Sequence, residues 1–139
     1  MNTMTSAMPA YHPMLPLAGR ILIGALFIVA GIRKILIWGP QVAYFTRLGF
    51  PAPEVMTVIA IIIEIGGAIL LIAGWRTRWV AWLLALFVLI ATGMAHRFWE
   101  FDAAQMANQL NHFLKNVAII GGLLFVACFG PGPASIDKH

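Results

Sequence analysis

Four long apolar segments alternate with shorter polar ones along the chain, and each apolar segment is continuous. The segments are Leu15–Trp38, Val55–Gly74, Trp79–Ala95 and Phe113–Phe129. A helix of about 20 apolar residues crosses the hydrocarbon core of a bilayer, whereas the strands of a transmembrane β-barrel alternate polar and apolar residues. The pattern therefore predicts an all-α fold, an integral membrane four-helix transmembrane bundle within residues 15–130. Residues 1–14 and 131–139 are interpreted as a polar N-terminal tail and a C-terminal tail.

The three connections between these segments differ in character. The first, residues 39–54, is apolar and predicts a short helix that Gly49 ends, so we expect an interfacial or re-entrant segment. The second is a tight turn in which Gly74 favours a left-handed helix end, which makes the second and third spans antiparallel neighbours. The third, residues 96–112, is polar and favours helix from Ala103 onwards, so the fourth helix is expected to begin outside the bilayer.

The composition supports a membrane protein. Of the 139 residues, 61% are hydrophobic and 10% are charged, whereas a soluble domain carries about 25% charged residues. A disordered chain needs low hydrophobicity and high charge, so it is excluded together with an ordinary soluble domain. The net charge of +4 comes from basic residues near the ends of the apolar runs, where they set topology, and we predict no nucleic-acid partner. The single cysteine, Cys128, excludes a disulfide within the chain, a CxxC redox pair and an all-cysteine iron–sulfur site.

The basic residues also bear on orientation. An even number of spans puts both termini on one side of the membrane, and the short turn that holds Arg76 and Arg78 lies on that side. Short loops follow the positive-inside rule best. We therefore expect a multi-pass protein of the cell inner (cytoplasmic) membrane with both termini in the cytoplasm.

Glu64 lies near the middle of the second apolar segment. It is the tenth residue of the run, which places it about 15 Å from the start of the helix at 1.5 Å per residue. A carboxylate at that depth costs roughly 2.5–3.5 kcal/mol on insertion scales, so it must face protein or water. The small residues Ala60, Gly67 and Ala68 lie one turn away and favour close approach of another helix. Glu64 is therefore either a structural residue paired with a cation or the centre of a ligand or proton site.

The first apolar segment carries a stripe of polar and small residues on one helical face. The stripe consists of Arg20, Gly24, Phe27, Gly31 and Lys34, spaced by four, three, four and three residues. Its glycines predict close contact with another helix. Lys34 lies in the last turn, on the side where the second span begins, and is the predicted partner of Glu64. The alternative is that Lys34, like Arg33, only extends to the membrane interface.

A second polar stripe begins the fourth helix. It consists of Asn108, His112, Lys115 and Asn116, and His96 ends the third span on the same side. We expect a common site formed by Lys34, Glu64, His96, His112, Lys115 and Asn116. A carboxylate, imidazoles and amide donors suit a quinone, whose two oxygens take hydrogen bonds, and they suit proton relay because histidine titrates near neutral pH. A bis-histidine haem stays an alternative, but no HxxxH or ExxH pattern indicates a metal site.

Taken together, these residues resemble the DoxX family of small four-helix membrane proteins. The matching motifs are Arg20-Ile-Leu-Ile-Gly-Ala-Leu-Phe27 with Gly31 and Lys34, Glu64-Ile-Gly-Gly67 with Leu70 and Leu71, Gly74-Trp-Arg-Thr-Arg78, Phe113-Leu-Lys-Asn116 with Gly121-Gly122, and Gly130-Pro-Gly132. The family takes its name from a subunit of a thiosulfate:quinone oxidoreductase, so the resemblance implies a membrane oxidoreductase subunit linked to quinone. The polar positions that the resemblance implies are Arg20, Lys34, Glu64, Arg78, Lys115 and Asn116.

The leading hypothesis is a redox-associated membrane subunit of the DoxX type that binds a quinone or a similar lipophilic ligand near Glu64, the candidate catalytic residue. The candidate ligand-binding residues are Arg20, Lys34, Glu64, Arg78, His96, His112, Lys115 and Asn116. Two alternatives stay open: a non-enzymatic membrane anchor or assembly subunit for a soluble redox partner, and a small proton-coupled transporter. The partners considered are the lipid bilayer, the lipophilic ligand, a soluble or membrane redox partner, and further copies of the chain in a homo-oligomer.

Overall fold

The computed structural model describes residues 11–138, so the predicted N-terminal tail lies outside the described residues as far as residue 10. Five α-helices make up this part of the chain. They are α1 (Leu15–Leu36), α2 (Trp38–Arg47), α3 (Pro53–Ala73), α4 (Thr77–Ala95) and α5 (Ala103–Phe129), with a 3-10 turn at Phe98–Glu100 before α5. Within the described residues, α1, α3, α4 with the 3-10 turn, and α5 are long and apolar enough to span a membrane. The predicted all-α, four-helix membrane bundle is confirmed.

The bundle has two ends that differ in structure. At the terminal end, α1 begins, α3 turns into α4, and α5 ends; the loop end holds α2 and the connection from α4 to α5. α5 begins well before the fourth apolar segment, as the sequence predicts, and Asp102 caps it by accepting a hydrogen bond from the Gln105 N–H at 3.1 Å. The predicted short helix in the first connection is α2, and Gly49 follows it with a φ of +83°.

α1 packs against α3 along the predicted glycine stripe. Gly24 and Gly31 are both buried. A Cβ atom added at Gly24 would lie 2.6 Å from the side chain of Ile72, and one added at Gly31 would lie 2.5 Å from that of Ile65. The helices therefore approach so closely because glycine has no side chain at these two points.

The other helix contacts surround one apolar core. Gly74 ends α3 in the left-handed region with a φ of 73°, as predicted, and the tight turn brings α4 alongside α3. About two helical turns before Gly74, a Cβ atom at Gly67 would lie 2.8 Å from the side chain of Leu84 of α4. The core draws on α1, α3, α4 and α5 and consists of Phe27, Ala68, Leu71, Val80, Ala81, Leu84, Ala85, Val88, Leu123 and Ala127.

The four spans form two helix pairs that separate toward the loop end. α1 with α3, and α4 with α5, are in contact over much of their length. In contrast, α3 approaches the backbone of α4 only over residues 62–73, and α1 makes almost no close backbone contact with α5. Side chains bridge α1 and α5 in the terminal half, where Ile23 lies beside Gly122. The space between the two pairs is therefore filled at the terminal end and open at the loop end.

The C-terminal segment, residues 130–138, folds back onto the terminal end. The Asp137 N–H donates to the carbonyl of Gly74 at 2.8 Å. The Asp137 carboxylate accepts hydrogen bonds from the backbone N–H groups of Arg76 and Thr77, at 2.8 and 2.9 Å, and from the Thr77 hydroxyl at 2.7 Å. Because an arginine side chain has no acceptor, Arg76 cannot cap α4, and Asp137 caps this helix from a distant part of the chain.

Two arginines hold the same end together. Arg20 of α1 is 1% exposed, and its guanidinium donates to the carbonyl of Leu71 at 3.1 Å and to that of Ala134 in the C-terminal segment. Arg78 of α4 donates to the carbonyl of Cys128 at 2.7 Å. The last carbonyls of a helix have no partner within the helix, so both arginines satisfy groups at the ends of α3 and α5.

Replacement of Asp137 tests the role of the C-terminal segment. Asp137→Ala is expected to lower the free energy of unfolding by about 1 kcal/mol, because α4 loses its N-cap. Thermal unfolding in detergent measures the change. Lys138→Ala is the matched control, since it removes a neighbouring exposed side chain, and it should unfold like the wild type. An Asp137→Ala protein as stable as this control would show that the cap contributes nothing.

Candidate functional site

A cavity of about 1000 Å³ lies between the two helix pairs toward the loop end. Its wall is mostly apolar and receives residues from all four spans and from α2. The polar residues that line it are Arg33, Lys34, Gln41, Tyr44, Glu64, His96, Lys115 and Asn116. An apolar cavity of this size with a few polar groups is typical of binding sites for small lipophilic molecules.

Lys34 and Glu64 form an ion pair on the cavity wall. The Lys34 Nζ atom lies 2.8 Å from Glu64 Oε1, and the side chains are 21% and 6% exposed, respectively. The pair can form because Gly31, one turn before Lys34, lets the two helices approach: a Cβ atom there would lie 3.5 Å from the Cβ atom of Glu64. The prediction that Lys34 is the partner of Glu64 is confirmed.

Glu64 also lies at the centre of an irregular turn of α3. Residues Ile62–Gly66 form a π-helical turn, a wider turn that is rare in proteins and frequent at functional sites. Within it, Glu64 Oε2 is buried and has no hydrogen-bond partner among residues 11–138. A buried acceptor without a partner is costly. Glu64 Oε2 is therefore available to a hydrogen-bond donor on a ligand.

Two histidines lie where α4 and α5 meet at the loop end. His96 lines the cavity, and its ring stacks on that of His112 with 5.0 Å between the centroids. His96 Nδ1 lies 2.9 Å from Gln109 Oε1, which fixes the orientation of the imidazole. One turn deeper, Asn116 donates to the Thr92 hydroxyl at 2.9 Å. These contacts hold the polar stripe of α5 against α4 beside the cavity.

The structure brings most of the predicted site residues together. Lys34, Glu64, His96, Lys115 and Asn116 line the cavity, and His112 contacts His96. Arg20 and Arg78 lie at the terminal end and do not line the cavity, so the expectation that they bind a ligand stays a prediction without a cavity contact to support it. Within residues 11–138, no three side chains of His, Cys, Asp and Glu are grouped so that they could hold a metal ion.

α2 contributes residues to the cavity that the sequence did not single out. Gln41, Tyr44 and Phe45 line it at the loop end. Burial raises the pKa of Tyr44, while the nearby charges of Arg97 and Arg47 act in the opposite direction. The phenol is therefore protonated at neutral pH and can donate a hydrogen bond. The apolar first connection predicted a short helix in an interfacial or re-entrant segment, but its pattern did not indicate which residues line the cavity.

The two single substitutions that break the ion pair are expected to lower the stability of the protein by different amounts. Lys34→Met leaves the more buried partner, Glu64, without its cation, and loss of one partner of a buried pair costs up to about 3–5 kcal/mol. Glu64→Gln should cost less, because the lysine ammonium is partly exposed and can reach water. The double variant should recover most of the stability lost in Lys34→Met. Thermal unfolding of the four proteins tests this order, and equal losses in the two single variants would contradict it.

Several known proteins are similar to this chain in sequence. The DoxX family model matches residues 15–97. The inner membrane protein YphA of Escherichia coli K12 is 33% identical over 130 residues, which cover 94% of this chain and 93% of that protein. The inner membrane protein YqjF of the same organism is 36% identical over 122 residues, which cover 88% of each chain.

A more distant relative is found in a eukaryote. The surfeit locus protein 4 homolog of Schizosaccharomyces pombe is 28% identical over 123 residues, which cover 86% of this chain and 38% of that protein. No solved structure matches the chain. Because the family match covers more than half of the chain and two relatives are at least 33% identical over most of their length, this protein belongs to the DoxX family of integral membrane proteins.

Proposed function

We propose that the protein is a redox-associated membrane subunit that binds a quinone or a similar lipophilic ligand beside Lys34 and Glu64. The observation that carries the proposal is the position of this ion pair on the wall of an apolar cavity of about 1000 Å³. A buried ion pair is often no more stabilising than well-packed apolar residues of the same volume. Ionisable residues inside a membrane protein are typical of ligand and proton sites, and here the pair faces a space that a ligand could fill.

The polar groups of the pair fit both redox forms of a quinone. The carbonyl oxygens of the oxidised form accept hydrogen bonds, and the Lys34 ammonium carries three N–H donors, one of which binds Glu64. The hydroxyl groups of the reduced form donate hydrogen bonds, and Glu64 Oε2 is a buried acceptor without a partner in the described part of the chain. A reduced quinone would therefore supply the donor that a buried carboxylate oxygen normally has.

These contacts indicate which steps the ligand and the protein would each contribute. A bound quinone would supply the redox chemistry, and the protein would bind it, orient it and handle its protons. Glu64 Oε2 is placed to accept a hydrogen bond from a ligand hydroxyl, while Lys34 donates to the other carboxylate oxygen, Oε1. His96 lies on the same wall at the loop end, where an imidazole can exchange protons with water. Electrons would pass to or from a soluble or membrane redox partner.

Quinone titration tests the proposal directly. The protein in mild detergent is expected to bind decylubiquinone and its reduced form. Glu64→Gln should weaken binding of the reduced form roughly tenfold or more, because hydrogen bonds to charged groups contribute about 1.5–3 kcal/mol. Ala91→Phe fills part of the apolar wall without changing a charge, and it should weaken binding of both forms. Isothermal titration calorimetry gives the affinities.

The matched control for this experiment is Glu54→Gln, which makes the same substitution at the exposed start of the same helix and should bind like the wild type. Thermal unfolding shows whether each variant is folded. Wild-type affinity in both folded Glu64→Gln and folded Ala91→Phe would exclude this cavity as the quinone site.

We also infer the membrane and the orientation. The two E. coli relatives are inner membrane proteins, and the positive charge of the Arg76–Arg78 turn favours a cytoplasmic terminal end. In a Cys128→Ala background, a cysteine at Gln105 should react with a membrane-impermeant thiol reagent added to intact cells, whereas a cysteine at Lys138 should react only after lysis. The reverse pattern would overturn the orientation.

A further inference from the structure

The polar part of the cavity carries more positive than negative charge. Arg33, Lys34 and Lys115 line it, whereas Glu64, which already binds Lys34, is the acidic residue on its wall. The side chains of Arg33 and Lys115 have no hydrogen-bond or ion-pair partner among residues 11–138. Both side chains are exposed, and a neutral quinone would make no ion pair with either of them.

Arg33 and Lys115 flank the gap between α1 and α5. Arg33 belongs to α1 and Lys115 to α5, and these two helices make almost no close backbone contact. Because both residues line one cavity that lies between the helix pairs, the gap has a cation on each side. It begins at the loop end, at the level where an interfacial headgroup would lie.

Below the cations, the walls of the gap are apolar. Val29 lies about one turn from Arg33 toward the bilayer centre, Leu26 lies about 10 Å from Arg33 along the helix axis, and Ile119 lies about one turn from Lys115; all three line the cavity. Val29 is 57% exposed and Leu26 is 37% exposed. The gap therefore combines a cationic end with an apolar wall that is open on its lipid-facing side.

We propose that this gap binds an anionic amphiphile, with a carboxylate or phosphate head between Arg33 and Lys115 and an acyl chain along Val29 and Ile119. A guanidinium binds either head with two parallel hydrogen bonds, and the lysine ammonium adds a point charge. The head lies near the interface and the chain points to the bilayer centre, which is the orientation of a lipid in the leaflet at the loop end. The two sites share one cavity, but the head would contact neither Lys34 nor Glu64, so the proposal does not depend on quinone binding.

Lipid binding to the full-length protein in a neutral detergent tests the proposal. Native mass spectrometry compares phosphatidylglycerol with phosphatidylcholine of the same acyl chains, and the wild type is expected to prefer phosphatidylglycerol. Arg33→Gln and Lys115→Gln should each weaken phosphatidylglycerol binding about fivefold, which corresponds to roughly 1 kcal/mol per basic residue near an anionic head. Phosphatidylcholine also has a phosphate but carries no net charge, so both changes should weaken its binding less than that of phosphatidylglycerol. Arg47→Gln removes an exposed cation at the same end that does not line the cavity, and it should bind both lipids like the wild type.

Oleate and oleyl alcohol then identify the source of the head. If oleate displaces phosphatidylglycerol and oleyl alcohol does not, the site is assigned to free fatty acids. If oleate does not displace phosphatidylglycerol, the site is assigned to phospholipids. Equal binding of the two phospholipids by the wild type, or the same loss in Arg47→Gln as in Arg33→Gln, would overturn the proposal and leave Arg33 and Lys115 as interfacial anchors. Because these measurements contain no quinone, their failure is distinct from failure of the quinone titration.

Discussion

An ionised carboxylate buried inside an apolar bundle is stable only beside a cation, and the Lys34–Glu64 pair links this requirement to the packing of the first two spans. Glu64 is 6% exposed and bonded to Lys34 at 2.8 Å. A lysine can reach that position from α1 only if the helix axes lie close together, and Gly31 provides the necessary space. A side chain at Gly31 would separate the helices next to the ion pair and leave the charge of Glu64 uncompensated. The packing of α1 on α3 and the polar chemistry of the cavity therefore depend on the same contact.

The polar groups at the two ends of the bundle have different surroundings. At the terminal end, Arg20 and Asp137 tie α1, α3, α4 and the C-terminal segment together through carbonyl and N–H groups that helix ends otherwise leave without partners. At the loop end, the helix pairs separate, and side chains such as Lys34 and His96 face a cavity instead of a neighbouring helix. Close packing at one end can therefore support an open, polar region at the other, because the same four helices run through both.

The sequence predicts the parts of this structure that local hydrophobicity and burial cost decide. The spans follow from continuous apolar runs, and Lys34 follows as the partner of Glu64 because few cations lie at the right depth. The course of the C-terminal segment does not follow, since Asp137 and Arg76 are 61 residues apart and their contact exists only in the packed bundle. The sequence also predicts that Arg20 binds a ligand, whereas in the structure its guanidinium binds backbone carbonyls. The sequence cannot separate these two roles, because a cation in an apolar run gives the same pattern in both cases. The π-helical turn leaves no mark in composition or periodicity.

The π-helical turn at Ile62–Gly66 has a consequence for how the length of α3 can change. Each added or removed residue rotates the following part of a helix by about 100°. A one-residue deletion could convert this turn into regular α-helix. The part of α3 that follows the turn would then rotate relative to the part that precedes it, and Glu64 and the residues that contact α1 and α4 would change their relative directions. Members of this fold should therefore accept many substitutions on the lipid-facing side of α3 while accepting almost no insertions or deletions between Pro53 and Gly74. Homologous chains are expected to differ in length in their loops and tails, with this interval constant.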